Sequence, residues 1–82
     1  MFALGTDMTL GRGAGCGIAL TSDRMVSQLH ARIYRGPAGE VLIEDLGSTN
    51  GTTLNRTKVN GPTRLSKGDR VQVGRTVLEV TS

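Results

Sequence analysis

The sequence predicts an all-β protein, a sandwich or barrel of about ten short strands. Three observations point there. Glycine is frequent, with 12 residues in 82, while proline occurs only twice. Glycines scattered between short apolar runs mark many tight turns. Apolar and polar residues alternate along those runs with the period of a half-buried strand, and no window sustains a helical period. Residues 23–29 leave room for one helical turn at most.

The elements follow in chain order. Phe2-Ala3-Leu4 and Met8-Thr9-Leu10 are two strands separated by Gly5-Thr6-Asp7. Residues 11–17 hold four glycines and read as loop. Ile18-Ala19-Leu20 is a short apolar strand, and Thr21-Ser22-Asp23-Arg24 a polar loop. Residues 30–35 place Ala31 and Ile33 on one face. They form a hairpin with residues 40–45 across Gly36-Pro37-Ala38-Gly39. Thr53-Leu54, Lys58-Val59 and Thr63-Arg64-Leu65 are further strands. Asn60-Gly61 reads as a type I′ hairpin turn, which needs positive φ at both central residues. After a turn at Lys67-Gly68-Asp69, residues 70–73 and 76–80 close the chain around Gly74-Arg75.

The bulk composition bounds the function. Hydrophobic residues make up 37%, with one Phe, one Tyr and no Trp, so Val, Ile, Leu, Met and Ala must build a modest core in a single domain spanning 1–82. The net charge of +3 favours acidic partners. There is no run of basic residues and no aromatic stacking platform, which argues against single-stranded nucleic acid. One cysteine, Cys16, and one histidine exclude an intramolecular disulfide and disfavour a metal site. No cofactor is implied. No apolar run is long enough for a membrane span or a signal peptide. A reducing, cytoplasmic setting fits.

Four polar segments stand at strand ends: Gly11-Arg12, Ser27-Gln28-Leu29-His30, the block 45–52 (DLGSTNGT) and Asn60-Gly61. Loops at one end of a sandwich can meet. Together these supply one permanent cation, several hydroxyls, amide side chains and glycine-freed backbone N–H groups. Such a donor-rich set suits phosphate oxygens. A phosphorylated hydroxyl residue carries about −1.5 to −2 charge and three strong acceptors, and charge-assisted bonds contribute about 1.5–3 kcal/mol each. Within the block, Gly47 and Gly51 let the backbone bend, Ser48 and Thr52 hold the loop in shape, and Asp45, which would repel phosphate, hydrogen-bonds the turn.

In order and spacing these segments, with Gly68-Asp69 before the last strands, resemble the forkhead-associated domain family over nearly the whole chain. The resemblance implies a β-sandwich of ten to eleven strands that recognises phosphothreonine in extended peptides after a Ser/Thr kinase has acted. It assigns Arg12 and Ser27 to the phosphate, Thr49 to the phosphate or to the pocket for the threonine γ-methyl, and Asn50 to the ligand backbone. Gln28 stands where the family often has another polar contact. His30 would tie the binding loops together, and Gly11 would permit the turn that aims Arg12. The family's further strand, before Phe2, is missing here. The last strand would then present an unpaired edge inviting self-association, and the chain reads as a truncated piece or part of a longer protein.

Plainer readings stand beside these. Arg12 alone would be a solvated charge and Ser27 alone a cap or loop hydroxyl. Arg24 is a solvated charge or, placed before Ser27, a selectivity element favouring an acidic residue in the ligand. Cys16 is an inert or mildly reactive thiol. Ser27, His30 and Asp45 are the residue types of a hydrolase triad, but Ser27 lacks the Gly-x-Ser-x-Gly elbow, so a non-catalytic module is expected. The alternatives are phosphate-independent protein docking through another face, or a basic nucleic-acid-binding barrel.

Overall fold

The structure is a computed structural model that describes residues 7–81. Nine strands form among them: β1 (Met8–Gly11), β2 (Ile18–Ala19), β3 (Ala31–Arg35), β4 (Val41–Asp45), β5 (Thr52–Leu54), β6 (Thr57–Lys58), β7 (Thr63–Arg64), β8 (Arg70–Val73) and β9 (Thr76–Glu79). The described residues contain no helix, so 23–29 carries turns only. The strand expected at residues 2–4 lies outside the described residues.

Two sheets result. The first has order β2-β1-β3-β4-β7 and the second β6-β5-β8-β9. Every pairing is antiparallel except β1 with β2. Parallel neighbours normally need a long crossover. Here only Leu10↔Ile18 and Gly11↔Ala19 align, and the glycine-rich segment between them turns back on itself.

Alternation builds the core. Ala31 and Ile33 of β3, Ile43 of β4, Val71 and Val73 of β8 and Leu78 of β9 face inward. With Leu10, Val26, Val59, Leu65 and Val80 they form one buried cluster. A register slip of one residue would turn these side chains out to solvent, so the pattern fixes the pairing.

The β3–β4 hairpin matches the sequence, closing on Gly36 N–H to Glu40 O at 2.7 Å. The turn expected at Asn60-Gly61 does not. β6 and β7 belong to different sheets, so this segment crosses between them, and Asn60 is absent from the positive-φ residues, while Gly61 has φ 146°. The second sheet has two two-residue hairpins, the expected Gly74-Arg75 between β8 and β9 and, unforeseen, Asn55-Arg56 between β5 and β6, the latter pair with φ 49° and 71°. Both residues occupy the left-handed region, as a type I′ turn requires.

Candidate functional site

The loops after β1, before β3 and before β5 are stitched together at one end of the sandwich. Arg12 N–H donates to Ser27 O at 2.9 Å, Gly13 N–H to Gln28 O at 3.2 Å, and His30 N–H to Leu10 O at 2.8 Å. This zipper needs Gly11, because a Cβ there would overlap the Gln28 carbonyl oxygen.

His30 is fully buried and joins two loops through both ring nitrogens. Its Nδ1 accepts from Ser27 N–H at 3.0 Å, so Nε2 carries the proton and donates to Gly51 O at 2.8 Å. The hydrogen bonds thus select the tautomer.

The block 45–52 is built around Asp45. Its Oδ2 accepts from the N–H groups of Gly47 (3.1 Å) and Ser48 (3.0 Å). Its Oδ1 accepts from the hydroxyls of Ser48 (2.5 Å) and Thr52 (2.7 Å). Ser48 Oγ in turn accepts from Gly51 N–H at 2.9 Å. Partial burial works against the Asp45 charge, but the hydrogen bonds from Ser48 and Thr52 outweigh it, and the carboxyl sits below its ordinary range. Gly47 and Gly51, at φ 74° and 79°, take the left-handed turns that the loop makes around this carboxylate.

Loop closure brings four of the expected residues onto one cleft of about 140 Å³, lined by Arg12, Arg24, Met25, Val26, Ser27, Thr49 and Asn50. Arg24, the expected selectivity residue, is there as well. Ser27 Oγ accepts from Thr49 N–H at 3.1 Å, which leaves its hydroxyl proton free to donate. Asn50 Nδ2 donates to Met25 O at 2.8 Å, leaving its Oδ1 as an acceptor. Arg12 Nε is buried and has no hydrogen-bond partner among the described residues. Gln28 is not on the cleft: its Oε1 lies beside Gly13, 3.2 Å from where a Cβ would stand. Asn60-Gly61, the fourth polar segment, also lies elsewhere.

Sequence reasoning missed Asp23. Its Oδ1 accepts from Met25 N–H at 3.0 Å, and its Oδ2 from Arg75 N–H at 2.9 Å and Thr76 Oγ1 at 2.6 Å. The Thr76 hydroxyl leads in holding this carboxyl below its ordinary range, against a partial desolvation and with help from the Met25 and Arg75 N–H groups. Asp23 pins the loop bearing Arg24 and Met25 to the β8–β9 turn. Its partners lie 52 and 53 positions away, and nothing in a local pattern reveals them.

The hydrolase types do not make a triad. The imidazole of His30 meets the backbone N–H of Ser27 and not its hydroxyl, and its other nitrogen is committed to Gly51. No group of three or more His, Cys, Asp or Glu among the described residues is placed to hold a metal ion. No described helix is long and apolar enough to cross a membrane.

Two sheets with a donor-lined cleft between loops at one end define a β-sandwich binding module. The chain belongs to the FHA domain family, whose sequence model matches residues 8–74. It is 43% identical over 72 residues to the FHA domain-containing protein FhaB of Mycolicibacterium smegmatis, a match covering 87% of this chain and 44% of that protein. The chain therefore spans less than half the length of that relative. A solved structure from a study of phosphothreonine-dependent FHA domain interactions superposes with a TM-score of 0.81 at 32% identity, over 93% of this chain and 76% of the other. The N-terminal FHA domain of Rad53p from S. cerevisiae, solved with a phosphothreonine peptide, gives a TM-score of 0.74 at 38% identity, over 84% and 56%.

Proposed function

We propose that this chain is a non-catalytic module that binds phosphothreonine peptides and brings the protein carrying it to the targets of Ser/Thr kinases. The observation that carries the reading is the buried, unpartnered Arg12 Nε beside Ser27, Thr49 and Asn50 on one cleft. A buried donor without a partner calls for an acceptor, and a guanidinium suits a phosphate.

In this reading Arg12 supplies charge and N–H donors to the phosphate. Ser27 donates its hydroxyl proton, the oxygen being already oriented by Thr49 N–H. Thr49 adds a hydroxyl or packs on the threonine γ-methyl. Asn50 Oδ1 accepts from the ligand backbone, its amide held by Met25 O. Gly11, His30, Gly47 and Gly51 keep these groups in place before the ligand arrives, so little ordering cost falls on binding. Gln28 takes no direct part. Arg24 and Arg75 border a neighbouring cleft of about 360 Å³ with Ser22, Asp23 and Met25, which suits an acidic flanking residue. Residues 1–82 act as one domain, in the intracellular setting where such kinases work.

Calorimetry with matched threonine and phosphothreonine peptides, on the wild type and Arg12→Ala, tests the proposal. Micromolar binding of the phosphopeptide alone, lost in the variant, is expected; equal affinity for both peptides would sink it.

A further inference from the structure

The second sheet has an outer face that the phosphopeptide cleft does not use. Thr53, Gln72 and Val77 stand in one cross-strand row, and Lys58 lies opposite Thr53. Below this row is a groove of about 410 Å³ lined by Thr53, Asn55, Arg56, Arg70, Gln72 and Val77. No residue lines both this groove and the cleft.

We infer that this face is a second docking surface, for an acidic, unphosphorylated segment of a partner protein that carries an apolar side chain among its carboxylates. Charge is the first argument. Arg56, Arg70 and Lys58 surround the row, against two acids nearby, Glu79 opposite Arg70 in the β8–β9 register and Asp69, which is engaged by the Asn55 amide. Neither Arg56 nor Arg70 forms an ion pair among the described residues. Guanidinium groups left so are suited to bidentate carboxylate recognition.

Backbone strain is the second. Arg56 holds φ 71° at the turn position where glycine costs least. Non-glycine residues kept in this region concentrate at functional positions. The turn is also rigid. Asn55 N–H donates to Arg70 O at 2.8 Å, Asn55 Oδ1 accepts from Arg70 N–H at 2.9 Å, and Asn55 Nδ2 donates to Asp69 Oδ1 at 3.1 Å. Arg56 is thereby presented at the groove rim on a fixed backbone.

The occupant follows from the floor. Val77 is 53% exposed and offers an apolar contact at the β9 end of the row, beside the hydrogen-bonding side chain of Gln72 and beyond it Thr53. A peptide uses such a mixture. A nucleic acid strand would want aromatic platforms, and the lining has none. The inference does not depend on phosphothreonine recognition.

The test is an NMR titration of the isotope-labelled chain, saturated with a phosphothreonine peptide. The probe is an unphosphorylated synthetic peptide of alternating Glu and Leu. Expected are shift changes at Thr53, Gln72 and Val77, with Ser27 and Thr49 still, and weakening of roughly threefold or more in Arg56→Gly and in Arg70→Gln. Glycine suits the turn, so Arg56→Gly keeps the fold while removing the charge. The inference is overturned if the probe shifts only cleft residues, if its Gln-for-Glu counterpart binds equally, if Arg56→Gly binds as the wild type does, or if oligothymidylate displaces the peptide at matched charge. Repeating the titration without phosphothreonine peptide separates this result from any failure of the cleft.

Discussion

Asp45 shows how one residue can serve a site it does not touch. It accepts four hydrogen bonds from Gly47, Ser48 and Thr52, and so shapes the loop that presents Thr49 and Asn50. Asp45→Asn is expected to lower stability by about 1–2 kcal/mol at neutral pH, read from urea unfolding. The folded-state pKa of Asp45 lies below the ordinary 3.8. Its contribution is therefore complete above that value and is lost as pH falls through the lower, folded one. The difference between wild type and Asp45→Asn should accordingly shrink as the pH falls below about 4. At the cleft itself, Ser27→Ala removes a hydroxyl donor and also the acceptor of Thr49 N–H. A loss of about tenfold or more in phosphopeptide affinity is expected, roughly 1.4 kcal/mol, measured by calorimetry. A γ-methyl pocket beside Thr49 predicts a preference of the same size for phosphothreonine over phosphoserine.

Hairpins and loops carry the next level of specification. Arg56→Gly should raise stability by about 0.5–1 kcal/mol by relieving a left-handed side chain, seen as a higher urea midpoint with unchanged slope. Gly47→Ala should act in the opposite sense by about 1 kcal/mol, since alanine resists φ 74°. The strands were legible in the sequence because alternation is a local signal: β3, β4, β8 and β9 lie where Ile33, Ile43, Val71 and Leu78 recur on one face. The turns were less so. Asn60-Gly61 carries the usual hairpin dipeptide yet crosses between sheets, while Asn55-Arg56 forms a hairpin without a glycine. Cross-strand pairing, β5 against β6 and β8, decided the matter over local turn preference.

At the scale of the whole molecule, the cleft residues Arg12, Ser27, Thr49 and Asn50 were readable as an ordered set of polar segments. Their support was only partly so. The placing of Gln28 away from the cleft and the bridge from Asp23 to Arg75 and Thr76 depend on packing between distant segments. Asp23, like Asp45, is held below its ordinary pKa, so acid below about pH 4 should loosen both anchors together. Phosphopeptide affinity and thermal midpoint should fall in parallel over that range, apart from titration of the phosphate itself, which a sulfate competitor of fixed charge would control for.

The tie from Asp23 to the β8–β9 turn has a consequence for how the protein can be divided. Arg12 stands near one end of the described chain and Arg75 near the other, and the segment from Asp23 to Ser27 is tied to both, by Arg12 N–H to Ser27 O and by Arg75 N–H to Asp23 Oδ2. Recognition therefore depends on contacts between segments from both ends of the described residues. A nick or a deletion that releases the last two strands would silence the cleft without removing any residue that lines it, and each bound peptide would in turn hold those strands against proteolysis.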